Sequence, residues 1–191
     1  MKKRSPKKIT FQNLEKFAFK YIERFSTSEN QLRIILKKKI IKSSYFFKTK
    51  VENYTSYIDL IIEKFKKIGL IDDKKYSESR ALNLVKRGFS KKKILLNLKQ
   101  KGISSEIIEI ALHNLKKFFF DYELASALIY AKKKKIINSE INLDKSFKNN
   151  EKKLMKMASA GFSYSISKKI IELNNKEEIE FLEKYANEGI N

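Results

Sequence analysis

Residues 87–104 read Arg87-Gly88-Phe89-Ser90-Lys91-Lys92-Lys93-Ile94-Leu95-Leu96-Asn97-Leu98-Lys99-Gln100-Lys101-Gly102-Ile103-Ser104. The stretch is one helix between two glycine stops. Ser90 stands where a hydroxyl can accept a free N–H of the first turn. Ile94, Leu95 and Leu98 gather on one face at helical spacing. Gly88 and Gly102 suit the left-handed residue that ends a helix, and Ser104 opens the next one.

The same punctuation recurs outward from this stretch. Upstream, Asp72 caps a helix bearing Tyr76, Ala81, Leu84 and Val85. Before it, Ile58, Ile61, Ile62, Phe65 and Ile68 form a stripe that stops at Gly69. Ser28-Glu29-Asn30-Gln31 fits a capping box in front of Leu32, Ile35, Leu36 and Ile40, with the serine oxygen and the Gln31 side chain both satisfying first-turn N–H groups. Phe11, Leu14, Ala18, Tyr21, Ile22 and Phe25 make the first stripe, and the polar, aromatic run from Ser43 to Val51 reads as a connection. Downstream, Ser104 or Ser105 caps a helix with Ile107, Ile108, Ala111 and Leu115. Leu124, Ala125, Leu128 and Ala131 form another stripe, followed by Phe147, Leu154 and Ala158, and then by Ile166, Ile170 and Leu173 behind Ser163. Met155 and Met157 read as packing residues, and a short acidic helix is expected at about 176–187.

Three segments align on a serine that starts a helix: the one ending in Ser28, Arg87-Gly88-Phe89-Ser90, and Ala160-Gly161-Phe162-Ser163. In the first two, apolar residues follow at +4 and +8 and a lysine at +11, namely Lys39 and Lys101. The third has Ser167 at +4 and reads as degenerate. Units of three helices are too small to bury their stripes alone and stack on their neighbours. The expected fold is all-α, an elongated tandem array of three three-helix repeats over 10–70, 71–117 and 118–174. A basic extension covers 1–9 and an acidic tail 175–191.

The chain has 191 residues and a formal charge of +21, with 43 Lys+Arg against 22 Asp+Glu. The charge is graded: +12 over residues 1–50, +7 over 51–120 and +2 over 121–191. Lysine-rich codon usage contributes to the total, yet the gradient marks the front of the chain as an anion-facing surface. With no Cys and one His, at His113, disulfides, thiolate sites and histidine pairs are excluded. Asp72-Asp73 reads as a helix cap rather than an acidic dyad, and no phosphate-loop motif occurs. No cofactor, no metal site and no enzyme activity are expected. No apolar run is long enough to span a membrane, so a cytoplasmic chain is expected.

The basic clusters carry the binding expectation. Lys91, Lys92 and Lys93 fill the first turn of a helix, where positive charge opposes the helix dipole by about 0.3–1 kcal/mol each. An anionic partner would relieve that repulsion. Arg24, Arg33, Lys37, Lys38, Lys39, Arg87, Lys99, Lys101, Lys132 and Lys133 complete the candidate anion-, DNA- or filament-binding set.

From Thr10 to Leu173 the chain resembles the RecX family of bacterial recombinase regulators. The first repeat is similar at Ala18-Phe19-Lys20-Tyr21-Ile22-Glu23-Arg24, at Ser28-Glu29-Asn30-Gln31-Leu32-Arg33, and at Leu36 and Lys39. The second is similar at 69–79, Ile94, Leu98 and Lys101-Gly102-Ile103, and the third at Glu123, Ala127, Ala131-Lys132-Lys133 and Ala160-Gly161-Phe162-Ser163. The resemblance implies a monomeric, non-enzymatic protein that binds the RecA recombinase filament on single-stranded DNA. It would limit filament growth and lower ATPase, strand-exchange and coprotease activity, with salt-dependent binding to single- or double-stranded DNA. Lysine stands where the family mostly has arginine, and Ser159-Ala160 stands where it has arginine before Gly-Phe-Ser, so no forked guanidinium contact is available at those places. The alternative is a basic helical nucleic-acid binder, RNA- or ribosome-associated or of helix-turn-helix type, without recombinase specificity.

Overall fold

A computed structural model describes residues 6–137, 147–173 and 175–188. The elements are α1 (Phe11–Ile22), α2 (Glu29–Phe47), α3 (Thr55–Lys67), α4 (Asp73–Lys86), α5 (Lys91–Gln100), α6 (Ser105–Asn114), α7 (Tyr122–Lys133), α8 (Phe147–Ser159), α9 (Tyr164–Ile171) and α10 (Lys176–Asn187). Short 3-10 turns at Val51–Tyr54 and Leu115–Lys117 lead into α3 and follow α6. No strand occurs among the described residues. The starts are set by side-chain caps, all but Thr10 read in the sequence. Thr10, Ser28, Ser104 and Ser163 accept N–H groups of α1, α2, α6 and α9, and Asp72 Oδ1 accepts those of Lys74 and Lys75 at 2.9 and 3.0 Å.

Two compact units result. The first holds residues 1–76 together with Lys101–Ile103, and the second holds 77–100 and 104–191. In the first, α1 and α2 pack on α3 around Leu14, Ala18, Leu32, Leu36, Ile40, Ile61, Ile62 and Phe65. In the second, α7 packs on α9 and α10, and α8 on α9. Leu84, Val85, Ile94, Leu98, Ile108, Leu128, Met157 and Ile170 are buried there.

Each unit contains the same joint. In the first, the Ser28 hydroxyl donates to the Lys101 carbonyl at 2.6 Å. In the second, the Ser90 hydroxyl donates to the Ala160 carbonyl at 2.7 Å. The residue after each accepting carbonyl is a glycine with positive φ, Gly102 at 76° and Gly161 at 89°. A Cβ on Gly102 would land on the Asn30 side chain, and one on Gly161 would lie 2.7 Å from Ser90 Oγ. These glycines therefore serve both the left-handed turn and the close approach.

The joint corrects the sequence alignment. Gly161-Phe162-Ser163 lies between α8 and α9, in the place that Gly102-Ile103-Ser104 takes between α5 and α6. Gly88-Phe89-Ser90 lies instead between α4 and α5. The shared Gly-Phe-Ser letters belong to two different turns, which is why the third copy reads as degenerate when they are superimposed. Its Ser167 is buried and donates to the Ser163 carbonyl at 2.7 Å.

Other departures are local. The expected connection at 43–51 begins as helix: α2 runs to Phe47, with Ser43 buried and donating to the Lys7 carbonyl at 2.8 Å. Left-handed Lys48 (φ 53°) ends it. The capping box is only half made, because Gln31 Oε1 accepts from Lys101 Nζ at 3.0 Å instead. Phe25, Ile68 and Met155 are exposed, as is Ala158; Met157 takes the core position on α8. The side chain of Phe147 and the residues 1–5 of the basic extension lie outside the described set.

Candidate anion-binding surface

The first turn of α5 is built on Ser90, which is 1% exposed. Its Oγ is engaged with Ala160, and the Lys93 N–H approaches it at 3.5 Å. That anchorage turns Lys91, Lys92 and Lys93 outward, all exposed, with no acidic residue in the turn. Lys91 reaches Glu123 at 3.4 Å. The stem of Lys92 lies over Gly161. Lys92 and Lys93 make no ion pair with a described residue, so two ammonium groups face solvent at the positive end of a helix dipole. Lys99 is exposed in the last turn of the same helix.

The remaining candidates divide by what holds them. Arg33 is engaged inside the first unit: Nε pairs with Glu29 at 2.9 Å and Nη1 with Asp59 at 2.6 Å. The hydrogen bond to Asp59 chiefly, and that to Glu29 next, raise its pKa despite partial burial. Lys101 is bound to Gln31, Lys132 pairs with Glu183 of α10 at 2.6 Å, and Lys133 donates to the Arg87 carbonyl at 3.2 Å. The Arg87 guanidinium sits 5.1 Å from the Phe89 ring centre. Arg24, Lys37 and Lys38 are exposed; Lys39 is half-buried with Nζ 5.1 Å from the Phe17 ring centre. The run Lys37–Lys39 is thus not one patch, since successive residues on a helix point about 100° apart.

Asp72 and Asp73 are both helix-start acceptors. Asp73 Oδ1 takes the N–H of Glu29 at 2.9 Å, capping α2 from a distance in sequence. Burial raises its pKa, and the nearby Glu29 adds to that. Among the described residues no cluster of His, Asp and Glu is arranged to hold a metal ion.

Residues 72–112, the span from the α4 cap to α6, match the family model for RecX, second three-helix domain. Over 173 residues the chain is 27% identical to "Regulatory protein RecX" of Myxococcus xanthus (strain DK1622), covering 88% of this chain and 89% of that one. The chain is similar to RecX proteins over nearly its whole length. A second RecX relative, from Finegoldia magna, is 31% identical over 123 residues, 61% of this chain and 55% of the relative. The RecX-type fold is also shared with the crystal structure of RecX from Lactobacillus salivarius, at a TM-score of 0.63 and 23% identity over 90% of this chain and 97% of that one. A further crystal structure, of a regulatory protein RecX, has a TM-score of 0.60 at 18% identity over 85% of this chain and 73% of that one. Among the described residues no helix is long and apolar enough to cross a membrane.

Proposed function

We propose that the chain regulates the RecA recombinase by binding its filament on single-stranded DNA in the cytoplasm, as a monomer and without catalysis of its own. The likeness to a named regulatory protein over nearly the whole chain carries this reading. Three repeats, over 10–70, 71–117 and 118–174, supply successive contacts to a repeating filament, so weak sites add through avidity. The chain then obstructs addition of the next protomer and lowers ATPase, strand-exchange and coprotease activity. The solvent-facing Lys92 and Lys93 at the α5 start are the first contacts to test, toward acidic protein surface or DNA phosphate.

The experiment is recombinase ATP hydrolysis on single-stranded DNA with substoichiometric purified protein. Slowing is expected, and no effect at equimolar protein in low salt overturns the reading. The exposed lysines without carboxylate partners favour a second reading, nucleic-acid binding without recombinase specificity. Pull-down of recombinase after nuclease digestion separates the two: retention supports the regulator, and loss supports the plain binder.

A further inference from the structure

The acidic helix α10 is folded onto the basic end of α7. Residues 172–191 hold six Glu against two Lys, net −4 in a chain of +21. Within the second unit α10 packs on α7. The end of α7 and the two residues beyond it carry Lys132, Lys133, Lys134 and Lys135, all exposed. Glu183 Oε1 meets Lys132 Nζ at 2.6 Å. An acid of the last helix thus holds one of the lysines that the sequence places in the anion-binding set.

The docking of α10 is light. Ile179 and Ala186 are its buried residues. Besides them, the Asp121 N–H donates to the Ala186 carbonyl at 3.2 Å, and Tyr185 meets Phe120 edge-on at 4.7 Å between ring centres. Phe181 and Tyr185 stay 71% and 45% exposed. A helix of twelve residues is marginal in water on its own, so α10 holds its shape mainly while docked. Glu183 stands four residues after Ile179 and three before Ala186, on the docked face itself. Glu180 and Glu188 pair instead within α10, with Lys176 and Lys184 at 3.4 Å each. A hydrocarbon side chain at 183 would hold the helix more firmly through burial. A carboxylate there makes docking depend on Lys132 being free.

That dependence makes a two-state element. Docked, Glu183 takes the place of an outside anion at Lys132. Loosened, α10 leaves Lys132 beside Lys134 and Lys135, which make no ion pair with a described residue. Lightly held terminal elements open at low cost compared with a core. An anionic partner that takes Lys132 removes one attachment of α10 and shifts it toward the loosened state. By reciprocity, whatever weakens the attachment raises the affinity for the partner by the same factor.

We propose that α10 is an autoinhibitory strap: Glu183 occupies Lys132 in place of the anionic partner, and the strap loosens before Lys132 serves in binding. The partner is the recombinase filament, and the proposal rests on the recombinase reading for that identity alone. The strap itself is measured with heparin octasaccharide as the polyanion and no recombinase, so its failure and the failure of that reading are told apart. Full-length wild type, E183Q, K132Q and K132Q/E183Q are compared at low salt, all checked for helicity. E172Q is the control, since Glu172 is an exposed acid just after α9 and its loss changes the net charge equally. E183Q should bind the octasaccharide about two- to fivefold more tightly than E172Q, the worth of a partly exposed ion pair. K132Q/E183Q should gain over K132Q no more than E172Q gains over wild type. Equal affinities for E183Q and E172Q, or a full gain without Lys132, overturn the strap. Saturating octasaccharide should also speed amide exchange over 176–187 by about two- to fivefold in wild type and leave it unchanged in K132Q; unchanged or slowed exchange in wild type overturns the loosening. In the recombinase ATPase assay, E183Q should reach half-inhibition at about two- to fivefold less protein than E172Q. Equal potency of those two variants overturns the filament as the partner that the strap opposes. A wild type without effect in that assay overturns the recombinase reading, and the heparin measurements then decide the strap.

Discussion

Ser90→Ala is the sharpest probe of the joint in the second unit. The hydroxyl does two things, and they differ in weight. As an N-cap it faces the Lys93 N–H at 3.5 Å, at the edge of hydrogen-bond range, so that loss sits at the low end of the usual cap cost, about 0.5 kcal/mol. As a donor it satisfies the Ala160 carbonyl at 2.7 Å, with Ser90 1% and Ala160 3% exposed. Leaving that buried acceptor unsatisfied costs about 1–3 kcal/mol. The total is about 1.5–3.5 kcal/mol. Ser104→Ala is the matched comparison within the same unit: its hydroxyl is exposed and only caps α6, accepting from Ile107 at 3.4 Å. It should cost about 0.5–1 kcal/mol. In thermal unfolding followed by circular dichroism, these values become drops of about 3–14 °C and about 1–4 °C. Equal drops for the two variants would refute the claim that the hydroxyl-to-carbonyl bond, rather than capping, is what Ser90 contributes.

Further outcomes follow from the same structure. Gly102→Ala should cost about 2–4 kcal/mol, because a positive φ and the Asn30 contact act together, whereas Gly69→Ala, with open space around its Cβ position, should cost about 1–2 kcal/mol; urea midpoints compare them. Glu29 is held below its ordinary 4.5, mainly by the Lys66 hydrogen bond and also by Arg33, against opposing burial. Its stabilising contribution is therefore present above pH 4.5 and lost as the pH falls through the lowered value, which acid titration of wild type against Glu29→Gln checks. Asp73 has the opposite sign: its raised pKa means the charged form is disfavoured in the fold, so Asp73→Asn, which keeps the acceptor for the Glu29 N–H, should equal or exceed wild type in stability at about pH 7 in urea unfolding. Arg33→Ala should cost about 0.5–1 kcal/mol of stability in urea unfolding, since its guanidinium serves both Glu29 and Asp59.

Much of the fold is legible in the sequence because its signals are local. Serine and aspartate caps, glycine stops and helical stripes each announce themselves within a few residues, and α4 to α7 follow them closely. What escapes depends on distant partners. Nothing near Ser43 indicates that the Lys7 carbonyl will take its hydroxyl, so a polar, aromatic end of α2 reads as a loop. The capping box fails in its second half because Lys101, remote in sequence, claims Gln31. The Gly161 turn is misassigned when letters are matched before helix order is known. At the candidate surface, the α5 lysines stand out, being consecutive and at a helix start. Arg33, Lys101 and Lys132 look free in the sequence only because Asp59, Gln31 and Glu183 lie on other elements.

The first unit takes in Lys101–Ile103, and the buried Ser28 hydroxyl has its acceptor there. That arrangement bears on biosynthesis. A nascent chain that has emerged as far as Tyr76 already carries the apolar residues of the first core, but the acceptor for Ser28 has yet to be synthesised. At about 5–20 residues per second the missing turn arrives roughly one to five seconds later. Until then the beginning of α2 waits with an unclosed joint, and translation speed across residues 77–103 sets how long the newborn amino-terminal unit is exposed to chaperones and proteases.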